Sequence, residues 1–206
     1  MQPENRWISR LAKFAVIVTF SLIYLGGMVT SLNAGLSVPD WPTSFGYNMF
    51  TFPVSKWEGG IWWEHSHRLV ASFLGLVITV LAVWIWRVDS RRWVRGLGLG
   101  AFVLVVVQGI LGGLRVTEIS TVLAIIHGCI AQAFLCVLIL LALALSPAWE
   151  RPPTESKVSY SAKRLVPWGW VLTGAVFIQL ILGAIMRHLH AGLAIPTFPL
   201  TPSGSW

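Results

Sequence analysis

Residues 61–86 read IWWEHSHRLVASFLGLVITVLAVWIW, and no residue between Arg68 and Arg87 carries a formal charge. The hydrocarbon layer of a bilayer is about 30 Å thick and a helix rises about 1.5 Å per residue, so a run of this length and polarity spells a membrane-spanning helix. Four other stretches pass the same test, which sets spans at approximately 11–32, 61–86, 97–116, 122–145 and 167–187. The composition agrees. Of 206 residues 55% are hydrophobic and only 11% charged, against about 25% charged in a soluble domain, and the mean hydropathy is +0.72.

The formal charge of +7 does not point to nucleic acid, because the basic residues sit in short segments between apolar runs instead of on one soluble face. They report topology. Arg6, Arg10 and Lys13, then Arg87, Arg91, Arg92 and Arg95, then Arg151, Lys157, Lys163 and Arg164 fall on one side, and the other side holds Lys56, Arg68, Arg115 and Arg187. The positive-inside rule makes the N-terminus cytoplasmic and turns the loops at 33–60, 117–121 and 188–206 outward, in the cytoplasmic membrane. Trp41, Trp57, Trp62 and Trp63 gather before the second span and Trp84, Trp86 and Trp93 at its other end, as interfacial aromatic belts do. The first span is too long and too poor in small-x-small sequence for a cleaved signal peptide and reads as an anchor. Cys129 and Cys136 lie seven residues apart on one helix, roughly 10 Å along its axis, too far for a disulfide.

The third span is rich in glycine, with small-xxx-small pairs at 96/100 and 109/113 that favour close helix packing. An internal repeat organises the rest. Leu32-Asn33-Ala34-Gly35-Leu36-Ser37-Val38-Pro39-Asp40-Trp41-Pro42 aligns with Leu189-His190-Ala191-Gly192-Leu193-Ala194-Ile195-Pro196-Thr197-Phe198-Pro199, identical at six of eleven positions. Each copy follows an apolar span, so the fifth helix reads as the first helix of a second unit. The expected architecture is all-α: an up-down four-helix transmembrane bundle over residues 1–146, a cytoplasmic linker over 147–166, and over 167–206 a fifth transmembrane helix that begins a second, incomplete bundle. The sequence stops at Trp206, and the expectation is a truncated two-bundle protein or a half that needs a partner.

Ionisable groups at membrane depth are costly and so are candidates for function. Glu64, His65, His67 and Arg68 open the second span, and His127 lies near the start of the fourth. Both spans run inward, and each of His67 and His127 sits five residues past its expected entrance, roughly 8 Å below one surface at about 1.5 Å per residue. Helices two and four of an up-down bundle face each other diagonally, so two imidazoles at one depth could hold a six-coordinate haem iron between them. Glu64, three residues before His67, shares its face and would stand over the macrocycle edge, where it could exchange protons with a bound substrate. Arg68, Arg115 and Arg187 all lie near the outer interface and could pair with haem propionates. Plainer readings stand beside these: His127 as a packing residue, Glu64 and Arg68 as an i, i+4 pair, His65 as an interfacial residue, and Gln108, Gln132 and Gln179 as interhelical hydrogen-bonding groups.

Glu64-His65-Ser66-His67-Arg68 resembles the Glu-x-x-His-Arg motif of the COX15/CtaA haem A synthases. Gly35-Leu36-Ser37-Val38-Pro39-Asp40-Trp41-Pro42 is similar to their first external loop, and the stretches around Gln108–Arg115 and His127 are similar to theirs too. The resemblance covers nearly the whole chain. It implies two pseudo-symmetric four-helix bundles, the N-terminal one holding the substrate haem and the C-terminal one a haem b cofactor. It implies His67 and His127 as iron ligands and Glu64 as the catalytic carboxylate. The implied reaction converts haem O to haem A by oxidising a porphyrin methyl to a formyl group with water as oxygen source, for cytochrome oxidase assembly. Its implied partners are haem O, a haem O synthase and a quinone or other membrane electron acceptor, within the lipid bilayer; a fifth helix without its bundle mates adds a homo-oligomer to the expectations. Two departures stand out. The cysteine pair that some members carry in the first external loop is replaced by Val38 and Thr43 or Ser44, and His188 and His190 fall in a loop where no ligand is expected. Two other functions fit the same residues: a bis-histidine haem b electron-transfer protein, and a non-catalytic haem-binding assembly subunit.

Overall fold

A computed structural model describes residues 3–147, 149 and 158–193. It is all-α. The long helices are α1 (Pro3–Ser31), α2 (Gly60–Val88), α3 (Arg92–Thr117), α4 (Thr121–Ala144) and α5 (Val158–His188), with short 3-10 turns at Met49–Thr51, Val54–Lys56 and Ala191–Leu193. All five are long and apolar enough to cross a membrane, and the chain is a multi-pass membrane protein. The helices run past the expected spans, α1 and α5 most of all. Hydropathy marks the part embedded in lipid, whereas Arg6, Arg10 and Lys13 are good helix formers that carry the backbone into the interface. The helix also passes through Pro167, where the sequence suggested a start. Transmembrane helices accommodate such a residue by local adjustment.

The chain divides into two compact units, Met1–Pro152 and Pro153–Trp206. In the first, α1 packs on α2 and α4, and α3 packs on the same two. That ring is the up-down bundle, with α2 and α4 at opposite corners. Its apolar core fills the half away from the long 32–59 loop. Ile8 and Ala12 of α1 meet Leu81 and Ile85 of α2, Val94 of α3 and Leu141 of α4 there, and Ala15, Leu74, Ile78, Ala101, Phe134 and Leu138 form the next layer. At the same end Arg10 lies 4.8 Å over the Trp7 ring, Arg91 5.7 Å over Trp93 and Arg95 5.8 Å over Trp86. Cation–π contacts of this kind hold basic and aromatic side chains together at an interface. The half nearer the 32–59 loop holds the polar residues.

The glycine pairs of α3 pack differently from their spacing. A Cβ at Gly98 would meet Ile85 at 3.2 Å, and Gly112 and Gly113 also have close neighbours, but no atom lies within 4 Å of a Cβ placed at Gly96, Gly100 or Gly109. α3 is apolar on every side, so lipid and protein faces are not distinguished by its sequence, and the rotation of the helix decides which glycines are used.

The internal repeat has a structural counterpart. Leu32 donates to the Met28 carbonyl and Asn33 to that of Thr30, and 157 residues on Leu189 donates to Ile185 and His190 to Arg187. Asn33 and His190 adopt the same left-handed backbone, φ 52° and 53°. Both copies of the repeat therefore end their helix with the same cap. His188 is the last residue of α5 and not a loop residue, with its Nδ1 2.9 Å from the Ala184 carbonyl oxygen. Residues 194–199 of the second copy lie outside the described residues.

Candidate haem site

α2 and α4 both start at the end of the bundle that the 32–59 loop covers. His67 stands seven residues into α2 and His127 six into α4, so their depths differ by about 1.5 Å. They sit on opposite corners and within electrostatic reach of one another. The two rings have the same setting. A Cβ on Gly26 of α1 would stand 3.1 Å from His67 Cε1 and 3.7 Å from its Nδ1, and one on Gly112 of α3 would stand 3.3 Å and 3.7 Å from the same atoms of His127. Each ring thus lies on the bare backbone of the preceding helix. Both residues are half-buried, yet each Nδ1 is wholly enclosed and has no hydrogen-bond partner. Nε2 of either ring is not among the enclosed, unpartnered atoms, which leaves it as the nitrogen to meet a ligand.

Glu64 is buried on α2 one turn nearer the loop, and both of its oxygens are engaged. Oε2 accepts from the Val38 N–H at 2.9 Å and Oε1 from Arg68 Nη2 at 2.8 Å. The i, i+4 pair is therefore formed, with the side chains 5% and 9% exposed. Arg68 reaches further. Its Nη2 also donates to the Val38 carbonyl at 2.8 Å, and its Nη1 to those of Asp40 and Thr43 at 2.6 and 3.1 Å. Three of its hydrogen bonds thus grip the loop and a fourth holds Glu64. Arg115, in the last turn of α3, makes one hydrogen bond, to the Gly35 carbonyl at 3.0 Å, and lies in the field of Glu64, His67 and His127. Arg68 and Arg115 both act on His67, and of the two Arg115 carries the fewer hydrogen bonds among the described residues. Arg187 lies in the last turn of α5, in the other compact unit.

The loop is a small folded structure of its own. Ser44 and Tyr47 exchange backbone hydrogen bonds of 3.0 Å around Phe45 and Gly46, both at positive φ. Asp40 accepts from the N–H groups of Phe45 and Gly46 and from the Thr43 hydroxyl. Partial burial pushes its carboxyl up, but the bonds from Gly46, Thr43 and Phe45 outweigh this and hold it below the ordinary carboxylate value. Phe52 fills the centre, stacked on Phe45 at 5.7 Å and tilted 57° to His65 at 5.1 Å. His65 is fully buried between Phe52 and Trp57, its Nδ1 3.2 Å from Ser44 Oγ. It anchors the loop. Gln108 donates through Nε2 to the His127 carbonyl at 3.1 Å, an interhelical bond between α3 and α4.

Three glycines let this loop sit down on the helix ends. A Cβ at Gly35 would overlap the Arg115 guanidinium, one at Gly60 the Ser37 hydroxyl, and one at Gly113 the Trp41 ring. From sequence Trp41 reads as a belt residue, Gly35 as part of the repeat and Gly113 as half of a small-xxx-small pair, but the contacts they make here do not follow from that reading. Trp41 is a rigid ring against backbone, so Gly113→Ala is expected to cost about 1–3 kcal/mol through overpacking and to expose residues 38–46 to protease. Gly109→Ala, where a Cβ meets nothing, is the control, and Trp41→Ala should remove most of the penalty of Gly113→Ala.

Among the described residues, no three His, Cys, Asp or Glu side chains converge as a bare metal ion would require. A pair of imidazoles is one ligand set by which proteins hold porphyrin iron, and the matched rings with enclosed Nδ1 atoms fit that group. Residues 9–206 match the family model described as cytochrome oxidase assembly protein, COX15-CtaA. The chain belongs to the COX15/CtaA family. Among its COX15/CtaA relatives is a protein named heme A synthase from Alkalihalophilus pseudofirmus, 31% identical over 198 residues that cover 93% of this chain and 64% of the relative. Heme A synthases of Nitrosomonas eutropha and Shouchella clausii are 26% and 27% identical, covering 89% and 98% of this chain and 60% and 66% of themselves. The chain thus spans less than two thirds of the length of these COX15/CtaA relatives.

Proposed function

We propose that this chain holds haem O between His67 and His127 and serves its conversion to haem A. The supporting observation is the matched pair: two histidines at one depth on diagonal helices, each ring laid on a glycine with Nδ1 enclosed. The bound iron porphyrin would supply the methyl group that is oxidised to formyl, a net change that takes up one water and releases four protons and four electrons. The chain's own groups have separate tasks. His67 and His127 orient the macrocycle, and Arg115 offers N–H donors to a propionate at the loop end. Glu64, one turn above His67, takes protons from the reacting side, while the seated loop and the apolar lower half keep bulk water out. The electrons pass to a quinone or similar membrane acceptor, and a haem O synthase delivers the substrate. The basic residues at the end opposite the loop support a cytoplasmic side for that end and the N-terminus. A haem b cofactor would belong to a second bundle, of which α5 is the first helix.

One observation favours a second reading. Both Glu64 oxygens already accept hydrogen bonds from the chain, which suits a structural carboxylate and a non-catalytic haem-binding or electron-transfer role. Extracting haems from membranes that express this chain with a haem O synthase, separating them by reversed phase and identifying them as pyridine haemochromes tests both. Haem A that disappears in His67→Ala and in His127→Ala is the expected result. Protohaem alone, lost in the same variants, would favour the second reading, and haem content indifferent to both substitutions would refute both.

A further inference from the structure

We propose that Gly26 and Gly112 are positioning residues for the two ligand rings: by lacking a Cβ they seat His67 and His127 on the neighbouring helices and turn Nε2 toward the bundle centre. This rests on the haem-binding reading above. Several independent features converge. Gly26 lies five residues before the end of α1 and Gly112 five before the end of α3, so the seats are at one depth, as the rings are. The distances from a Cβ to Cε1, Nδ1 and Nε2 are 3.1, 3.7 and 3.9 Å at Gly26 and 3.3, 3.7 and 3.9 Å at Gly112. The two rings therefore meet their helices in the same orientation, by the same edge.

The backbone next to each seat has a use. The carbonyls of Leu22 and Gln108, each one turn before its glycine, are the backbone acceptors facing the two rings. A helical carbonyl already accepts from the N–H four residues on and keeps a second lone pair, and a glycine at that position leaves the approach to it open. Each Nδ1 stops short of hydrogen-bond geometry in the structure. A small rotation would let Nδ1–H donate to that carbonyl, which fixes the tautomer with its lone pair on Nε2. The triplet Leu-Gly-small that forms the seats, 25–27 in α1 and 111–113 in α3, recurs at 182–184 in α5, again with glycine five residues before the helix ends. Its recurrence at one distance from a helix end sets it apart from the other glycines of α3, although a Cβ at Gly183 would meet nothing within 4 Å.

The test uses the full chain purified in detergent and titrated with haemin. Gly26→Ala and Gly112→Ala are each expected to lower haemin affinity about 10–100-fold, as loss of a ligand's outer support does, and to convert a low-spin bis-imidazole spectrum partly to high spin. Gly27→Ala and Gly109→Ala, neighbours whose Cβ would meet nothing within 4 Å, should leave affinity and spectrum unchanged. Alanine is the better helix former, so helix content by circular dichroism should hold in all four. Wild-type spectra in Gly26→Ala and Gly112→Ala would overturn the proposal, as would a loss of helix content together with haemin, which would make the glycines ordinary packing residues. His67→Ala and His127→Ala separate the two levels. If these keep the low-spin spectrum, the ligand assignment itself fails, and if they lose it while the glycine variants do not, only the seats fail.

Discussion

Glu64→Gln is expected to lower haem A formation about 10²–10⁴-fold, the range that a positioned acid or base contributes, while leaving bound haem and its spectrum unchanged. Glutamine is the informative replacement because of what Glu64 touches. Its amide oxygen can still accept from one of the two donors, the Val38 N–H or Arg68 Nη2, so the loop keeps most of its anchorage. What glutamine cannot do is take up a proton at neutral pH. Alanine would remove both functions and leave the buried Arg68 without its counter-charge. The measurement is product per bound haem, from reversed-phase separation of extracted haems, with Glu64→Gln and wild type brought to equal haem content. A variant that makes haem A at the wild-type rate would assign Glu64 to the loop alone. Loss of haem A with retained haem would give the carboxylate a chemical role beyond the hydrogen bonds already formed.

How much of this was legible in the sequence depends on the kind of information each feature needs. Five spans, their order and the up-down ring follow from run length and loop length, since lipid demands closed backbone hydrogen bonding and short loops join antiparallel neighbours. The depth match of His67 and His127 is a count of residues from two helix starts, and the structure keeps it to within one residue. The partners of Arg68 were not legible in the same way. Sequence puts a guanidinium near an interface but does not say that three carbonyls of one loop, at Val38, Asp40 and Thr43, converge on it. That convergence depends on loop backbone, which has no periodicity to read. His65 is similar: two residues from a ligand candidate, it faces Phe52, Trp57 and Ser44 because a helix turns about 100° per residue. The seats at Gly26 and Gly112 required the rotation of α1 and α3 about their own axes. In helices that are apolar all round, packing sets that angle, although the recurrence of Leu-Gly-small at one distance from three helix ends was visible in principle.

Arg68→Ala should be the most destabilising single change at this site, by about 3–5 kcal/mol, because removing one partner of a buried ion pair strands the other charge. Glu64 is 5% exposed at its side chain, and no other hydrogen bond reaches its Oε1 among the described residues. The same substitution frees the carbonyls of Val38, Asp40 and Thr43, so loop and carboxylate lose their common tie at once. Arg68→Lys should recover only part of the loss, since an ammonium on a flexible stem cannot present a planar fork to four acceptors. Denaturation in detergent gives the magnitude, and protease cleavage within 38–46 shows whether the loop has lifted. The double variant separates the two contributions. If stranded charge dominates, Glu64→Gln restores much of the stability of Arg68→Ala, because a neutral amide has far less to lose on burial. If the loop carbonyls dominate, the second substitution recovers nothing, and Arg68 acts chiefly as a clamp that keeps the loop closed over the two histidines.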